Sequence, residues 1–460
     1  MASEAQAIAP AVVPAAADGP WYEGLQGKHW TILTASFLGW VFDGYESYAL
    51  FIAMPFILKS MLTPEMLVAR PAPVWAGVAI AATLLGWGMG GIIGGVLADY
   101  VGRKKMMLWS VFLYAVLTGF TALAGSFWVL VSLRFVTGLA MGSEWSTGVA
   151  LLAETWPNRA RPKGAGFLQS GFGVGTFVAA LTWLVLGAWS PLGANTWRLL
   201  FLVGALPAFF CLYIRRAVDE SEKWITAVKA QRWSAIGEGG AATLNNQGKV
   251  RRPFSLAEVF RDPESRRRTL LTFVLSLCTT TGWWAISSWL PAHVTRIAKE
   301  GGYTNPADWG TRGALVYTAG AVVAYLASGF VADALGRRKY LFFTYLGCFL
   351  LTPITYLWTQ SLPVLIAVCF VNGFFTLGCA YSWMAIYPVE LFASTVRATA
   401  ASFIFNAARL VAWVFPLIAG LLITSFGGIP KAAMTLGCIY LLGLVVPWFV
   451  PETKGAPLPE

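Results

Sequence analysis

Gly95-Val96-Leu97-Ala98-Asp99-Tyr100-Val101-Gly102-Arg103-Lys104-Lys105 recurs 234 residues later as Gly329-Phe330-Val331-Ala332-Asp333-Ala334-Leu335-Gly336-Arg337-Arg338-Lys339. A second pair, Glu154 with Arg161 and Glu390 with Arg397, repeats a seven-residue spacing at an offset of 236. Two independent pairs at nearly one offset make chance a poor explanation, so the chain reads as two related halves. The expected division is a disordered tail over 1–27, a first half over 28–216, a polar linker over 217–268, a second half over 269–456 and a short tail over 457–460. Repeated halves are a transporter signature, because two bundles rocking about a central site give alternating access.

The sequence around the repeat is apolar. Of 460 residues 57% are hydrophobic and 12% charged, where a soluble domain carries roughly 25% charged residues, which argues against a water-soluble enzyme. The net charge of +11 would also suit a nucleic-acid binder, but the charges sit in short clusters between apolar runs and so belong to a membrane protein. Residues 71–98, 106–133, 164–197, 269–292, 313–332, 340–389 and 432–451 contain no Asp, Glu, Lys or Arg. A spanning helix needs about 20 such residues. Gly125-Ser126 separates a third span from a fourth, and Thr359-Gln360-Ser361-Leu362-Pro363 divides the interval 340–389 in two. With 30–57, 199–214 and 398–424 the count is twelve spans. Backbone groups in lipid must satisfy one another, so an all-α membrane protein of two six-helix bundles is expected.

Lys and Arg set the orientation. With the amino terminus inside, 24 of the 33 fall on the terminal side and seven on the other, so both termini are expected to be cytoplasmic. The first 20 residues lack the basic start of a signal peptide. Six cysteines, all in or beside apolar runs and without CxxC spacing, read as buried free thiols. There is no GxxxxGK[ST] and no HExxH, so neither a nucleotide-driven pump nor a zinc enzyme is indicated, and no cofactor is expected.

The GxxxDxxGRRK element resembles the loop motif of the major facilitator superfamily, and the resemblance covers essentially residues 28–456. Asp219-Glu220-Ser221-Glu222-Lys223-Trp224 and Pro451-Glu452-Thr453-Lys454-Gly455 are similar to the PESPRW-type and PETKG elements of that superfamily. Asp43-Gly44-Tyr45-Glu46 resembles the DGxD of proton symporters for organic acids, with Glu46 in the place of an Asp. Gly138-Leu139-Ala140-Met141-Gly142-Ser143-Glu144-Trp145, with Glu154-Thr155-Trp156-Pro157 and Gln169-Ser170-Gly171, looks like the sialate:proton symporter family, which includes lactate and pyruvate permeases; Ser143 stands where Gly is common. The resemblance implies a carrier of an organic acid together with protons, in an inner membrane and as a monomer.

Five ionisable residues fall well inside spans: Asp43, Glu46, Arg134, Glu144 and Arg409. Each costs at least about 2.5 kcal/mol at a helix centre, so each must face a cavity or a partner. Asp43 and Glu46, three apart on one face, compete between desolvation and the pull of Arg134, which suits a proton carrier; a static ion pair is the alternative. Glu144 reads equally as a second protonation site or a structural acid. Arg409 suits a substrate carboxylate, with an inter-half ion pair as the alternative. Asn406, Gln169, Asn372, Trp283 and Trp284 are further cavity candidates, since polar and amphipathic groups in spans avoid lipid. Asp99, Arg103, Glu154, Arg161, Asp333, Arg337, Glu390 and Arg397 sit at cytoplasmic helix ends, where they read as a gating ion network or as solvated topology charges. The expected function is proton-coupled symport of a small organic anion, monocarboxylate or sialate-like, with the lipid bilayer as the only other partner. The alternatives are a proton-coupled sugar porter and, from another class, a membrane sensor or channel.

Overall fold

Each break expected between spans is met by a helix boundary in the structure, a computed structural model that describes residues 19–229 and 254–459. The tail expected over 1–27 lies outside the described residues up to residue 18, as does the linker over 230–253. Among the described residues twelve helical segments correspond to the twelve expected spans: Gly27–Met61, Ala72–Val101, Arg103–Thr121, 127–155, Arg161–Trp189, Gly193–Ala217, Pro263–Glu300, Pro306–Leu335, Arg337–Trp358, Leu362–Glu390, 397–425 and Ile429–Phe449. Nine of these are long and apolar enough alone, and the eleventh qualifies when its two pieces, bent by 52°, are taken together. The third opens with three basic residues and the fourth is split into Phe127–Met141 and Glu144–Thr155, which is why these two stand out less.

Local chemistry sets the boundaries. Thr63 and Asp262 cap helices whose first residues are Pro64 and Pro263, where a missing N–H is no loss. Gly102 and Gly336, at φ of 108° and 85°, turn the chain between spans two and three and between eight and nine. A side chain rarely adopts that conformation, which is the backbone reason for glycine in the repeated motif.

The packing repeats with the motif. Span one lies along span five and span two along span four; in the second half span eight lies along span ten. The halves meet where span five packs on span eight and span two on span eleven. Exchanging the halves converts one contact into the other, as an internal twofold requires. Both are close: a Cβ on Gly166 would stand 2.6 Å from the Tyr325 carbonyl oxygen, and one on Gly95 would collide with Ser402. Trp145, Trp197 and Trp383 are fully buried, while Leu181, Leu184, Phe209 and Leu421 are exposed on the outside, the belt that lipid would cover. Five cysteines are buried and free; the sixth, Cys438, is free but exposed on span twelve, against expectation.

Candidate functional site

A cavity of 480 Å³ lies between the halves. From the first half it takes Trp40, Tyr48, Phe51, Thr83, Trp87, Gln169 and Phe172, and from the second Trp283, Trp284, Tyr317, Thr318, Tyr381, Phe405 and Arg409. In spans one, five and seven, which begin on the face holding the termini, the lining residues come after the first turns; in spans two and eight, which end on that face, they come early. The cavity therefore reaches from mid-span toward the far face.

Among the described residues Arg409 is the only charged one lining it. Its guanidinium carbon stands 3.9 Å from the Phe405 ring centroid and 4.7 Å from that of Trp87. Cation–π contacts of this kind help hold a desolvated cation. One terminal nitrogen donates to the Phe405 carbonyl at 2.5 Å, Nε has no partner, and no carboxylate is in ion-pair contact with it among the described residues. The residue is 4% exposed. Three more lining side chains leave a buried N–H without a partner: Trp40 Nε1, Trp87 Nε1 and Gln169 Nε2. The Gln169 amide oxygen accepts from Trp145 Nε1 at 2.8 Å, which fixes the amide with its donors spare. A cavity with one cation and spare donors matches a ligand that accepts hydrogen bonds and carries negative charge.

Behind the cavity the other four intramembrane charges divide into two pairs. Glu46 and Arg134 form a buried salt bridge, and Arg134 also donates to Thr121 Oγ1 at 2.6 Å and Thr137 Oγ1 at 3.1 Å. Asp43, less than one turn away, makes no ion-pair contact among the described residues, and both its carboxylate oxygens lack a hydrogen bond. Glu144 is also fully buried with both oxygens unpartnered, and its carboxyl occupies the space a Cβ on Gly39 would need, one turn before Asp43. The two acids are close enough to interact, with Arg409 acting on Asp43 from the cavity side. The buried Tyr114 hydroxyl nearby also lacks a partner.

The face holding the termini is closed by charge. Arg103 bridges Asp99 and Glu154, each at 3.0 Å, and Glu154 bridges Arg397 of the other half at 3.0 Å. Arg103 donates to the Ser394 carbonyl at 2.6 Å, and Thr399 donates from its amide and hydroxyl to Asp99 at 2.8 and 2.5 Å. In the second half Arg337 bridges Asp333 and Glu390, both at 2.7 Å, and Lys163 of the first half reaches Asp333. Glu220 accepts from the backbone of Arg103 and Lys104, and Glu452 from that of Arg337 and Arg338, so the acids after spans six and twelve cap the helices that begin at the two GRK-type turns. Partial burial pushes the Glu452 carboxyl up, but those amides, that of Lys454 and the Arg337 charge outweigh it and hold the group below the usual range.

Of the candidates read from sequence, Arg409, Gln169, Trp283 and Trp284 line the cavity. Asn372 does not: its amide donates to Thr355 Oγ1 at 2.6 Å and its oxygen accepts from Thr376 at 2.8 Å, inside the second bundle. Asn406 does not either: it donates to Ser402 and packs where a Cβ on Gly91 would be, in the contact between spans two and eleven. Both corrections have one cause, since in a two-bundle protein a buried amide can turn into its own bundle or an interface. Glu144 does not line the cavity: its carboxyl lies against Gly39 of span one. Asp43 and Glu46 share a face yet part company, one toward Glu144 and one to Arg134. The eight terminal-face residues do assemble in two clusters, except that Arg161 pairs with Asn158 and the Ala153 carbonyl. Sequence reading missed Lys163, Thr399, Ser394, Glu220 and Glu452; only the last two carried a signal, as repeated acids after corresponding spans.

The family model for "Sugar (and other) transporter" matches residues 31–460. The chain is 26% identical to the sialic acid transporter NanX of Escherichia coli K12 over 94% of its length and 96% of the relative's. To the cis,cis-muconate transport protein of Acinetobacter baylyi it is 27% identical, over 84% of its length and 87% of the relative's. Among solved structures the proton:xylose symporter XylE of the major facilitator superfamily superposes with a TM-score of 0.74, covering 94% of this chain and 98% of that one, at 18% identity.

Proposed function

We propose, from the premise that this chain belongs to the sugar (and other) transporter family and is an integral membrane transporter and not an enzyme, that it carries a small organic anion together with protons. The observation that supports this most is Arg409, the one charged group lining the cavity, without a carboxylate partner among the described residues and beside N–H groups that lack acceptors. An incoming carboxylate would satisfy both. Relatives named for sialic acid and cis,cis-muconate are in keeping with an anion. The likeness to a xylose symporter favours a sugar porter as second reading, but a neutral sugar would give Arg409 no ion-pair partner in the cavity.

For the protons we assign Asp43, with Glu144 beside it. Glu46 is engaged by Arg134, so its charge is compensated in place. An ionised Asp43 without a partner would cost several kcal/mol in this interior, and its neutral acid would cost much less. Groups facing it are Glu46, Glu144, Tyr114 and Arg409. Substrate binding takes Arg409 out of reach as a counter-charge, so loading the anion favours a proton on Asp43, and unloading favours its release. The two halves, 28–216 and 269–456, move as bodies about this site. The present arrangement, closed at the terminal face, is the one that opens to the far side; by the Lys and Arg distribution the terminal face is cytoplasmic.

Arg409 tests the reading. Removing one partner of a desolvated charge-assisted pair costs about 2–5 kcal/mol, so Arg409→Ala should weaken anion binding roughly 30-fold or more. Arg409→Lys keeps the charge without the planar fork and should fall between. Normal anion affinity in a folded Arg409→Ala protein would contradict the assignment.

A further inference from the structure

We propose that the anion this cavity takes is flat and unsaturated, an aromatic or conjugated monocarboxylate, and that polyhydroxylated acids are poor ligands. The inference rests on the anion reading above and specifies the body of the ligand behind its carboxylate. Around Arg409 the walls are rings from both halves. Trp40 stands 6.3 Å from Trp87, 5.1 Å from Phe172 and 6.0 Å from Phe405, with the planes inclined at 67°, 41° and 63°. Toward the far face Phe51 of span one approaches Trp284 of span seven at 6.3 Å, so rings cross between the halves there too. These rings pack on one another and present aromatic surface to the cavity, against which a further ring gains beyond the burial of area.

The hydrogen-bonding capacity points the same way. A hydroxyl-rich ligand needs strong acceptors as well as donors, yet among the described residues no Asp or Glu lines the cavity, and its carboxamide, Gln169, has its oxygen occupied by Trp145. The lining hydroxyls of Thr83, Thr176 and Thr318 donate to carbonyls one turn back in their own helices, so toward a ligand they offer only neutral, weaker acceptors. Hydroxyls placed against these rings would lose water without regaining equivalent partners. The spare donors suffice for one carboxylate, and 480 Å³ is within the range of small-ligand sites.

The test is calorimetric titration of the full-length protein in lipid nanodiscs with benzoate, cyclohexanecarboxylate, lactate, N-acetylneuraminate and benzamide. Benzoate is expected to bind roughly three- to tenfold more tightly than cyclohexanecarboxylate, which has the same carbon count without the planar ring, and more tightly than lactate or N-acetylneuraminate. Trp87→Leu should remove most of that preference and Trp87→Phe should retain it. Lactate or N-acetylneuraminate binding as tightly as benzoate, or no preference for benzoate over cyclohexanecarboxylate, would overturn the flat-ligand inference while leaving the anion reading intact. Benzamide binding as tightly as benzoate would overturn the anion reading itself.

Discussion

Asp43 and Glu46 differ by one methylene and three positions, and the structure gives them opposite surroundings. Glu46 holds Arg134, whereas Asp43 and Glu144 have no hydrogen-bond partner at either oxygen. If Asp43 carries the proton, Asp43→Asn should abolish accumulation driven by a pH gradient while preserving exchange of labelled for unlabelled substrate, because exchange needs only the loaded carrier to reorient. Glu46→Gln should instead lower thermal stability, since it leaves Arg134 buried without its counter-charge, a loss of about 3–5 kcal/mol. Paired transport and melting measurements on the two variants decide this; loss of exchange in Asp43→Asn would move that residue from coupling to binding or folding. The sequence made all five intramembrane charges legible because lipid excludes them. It could not tell which pair, because that choice rests on Gly39 leaving room for the Glu144 carboxyl, a contact across helices with no trace in spacing.

At the scale of elements the contacts between spans two and eleven and between five and eight decide which face is shut. Glu154 is shared by Arg103 of its own half and Arg397 of the other, so it ties the bundles directly. Arg397→Ala would remove the inter-half arm and favour opening at the terminal face. A reporter is available in Ser402, which is buried and donates to the Gly91 carbonyl at 2.5 Å. With the native cysteines replaced, Ser402→Cys should react faster with an impermeant maleimide from the terminal side when Arg397→Ala is added; an unchanged rate would make Arg397 a static strut. The turns at Gly102 and Gly336 and the charged members Asp99, Arg103, Glu154, Arg397, Asp333, Arg337 and Glu390 were readable from the repeat, since each depends on local residue type, whereas Lys163 and Thr399 were not. The sharing of Glu154 across halves was not, because a repeat shows that two sites are alike and not that they touch.

For the whole molecule, two apolar bundles, a cavity with one cation, buried acids behind it and a charged clasp on one face together describe a carrier whose driving ion and cargo meet near mid-span. Twelve crossings and paired halves came from charge-free intervals and one recurring stretch, while the cavity's ring-lined walls did not. Twenty-two tryptophans look alike in sequence, and only packing separates those that line a cavity from those that fill a bundle. The central claim is that proton flow drives an organic anion through this site. Purified protein in liposomes, with an acid exterior imposed, should concentrate labelled benzoate inside faster than protein-free liposomes do, lose that accumulation when a protonophore collapses the gradient, and be competed by other monocarboxylates but not by hexose. Accumulation of hexose with no protein-dependent uptake of any carboxylate, or carboxylate accumulation indifferent to the protonophore, would contradict the account.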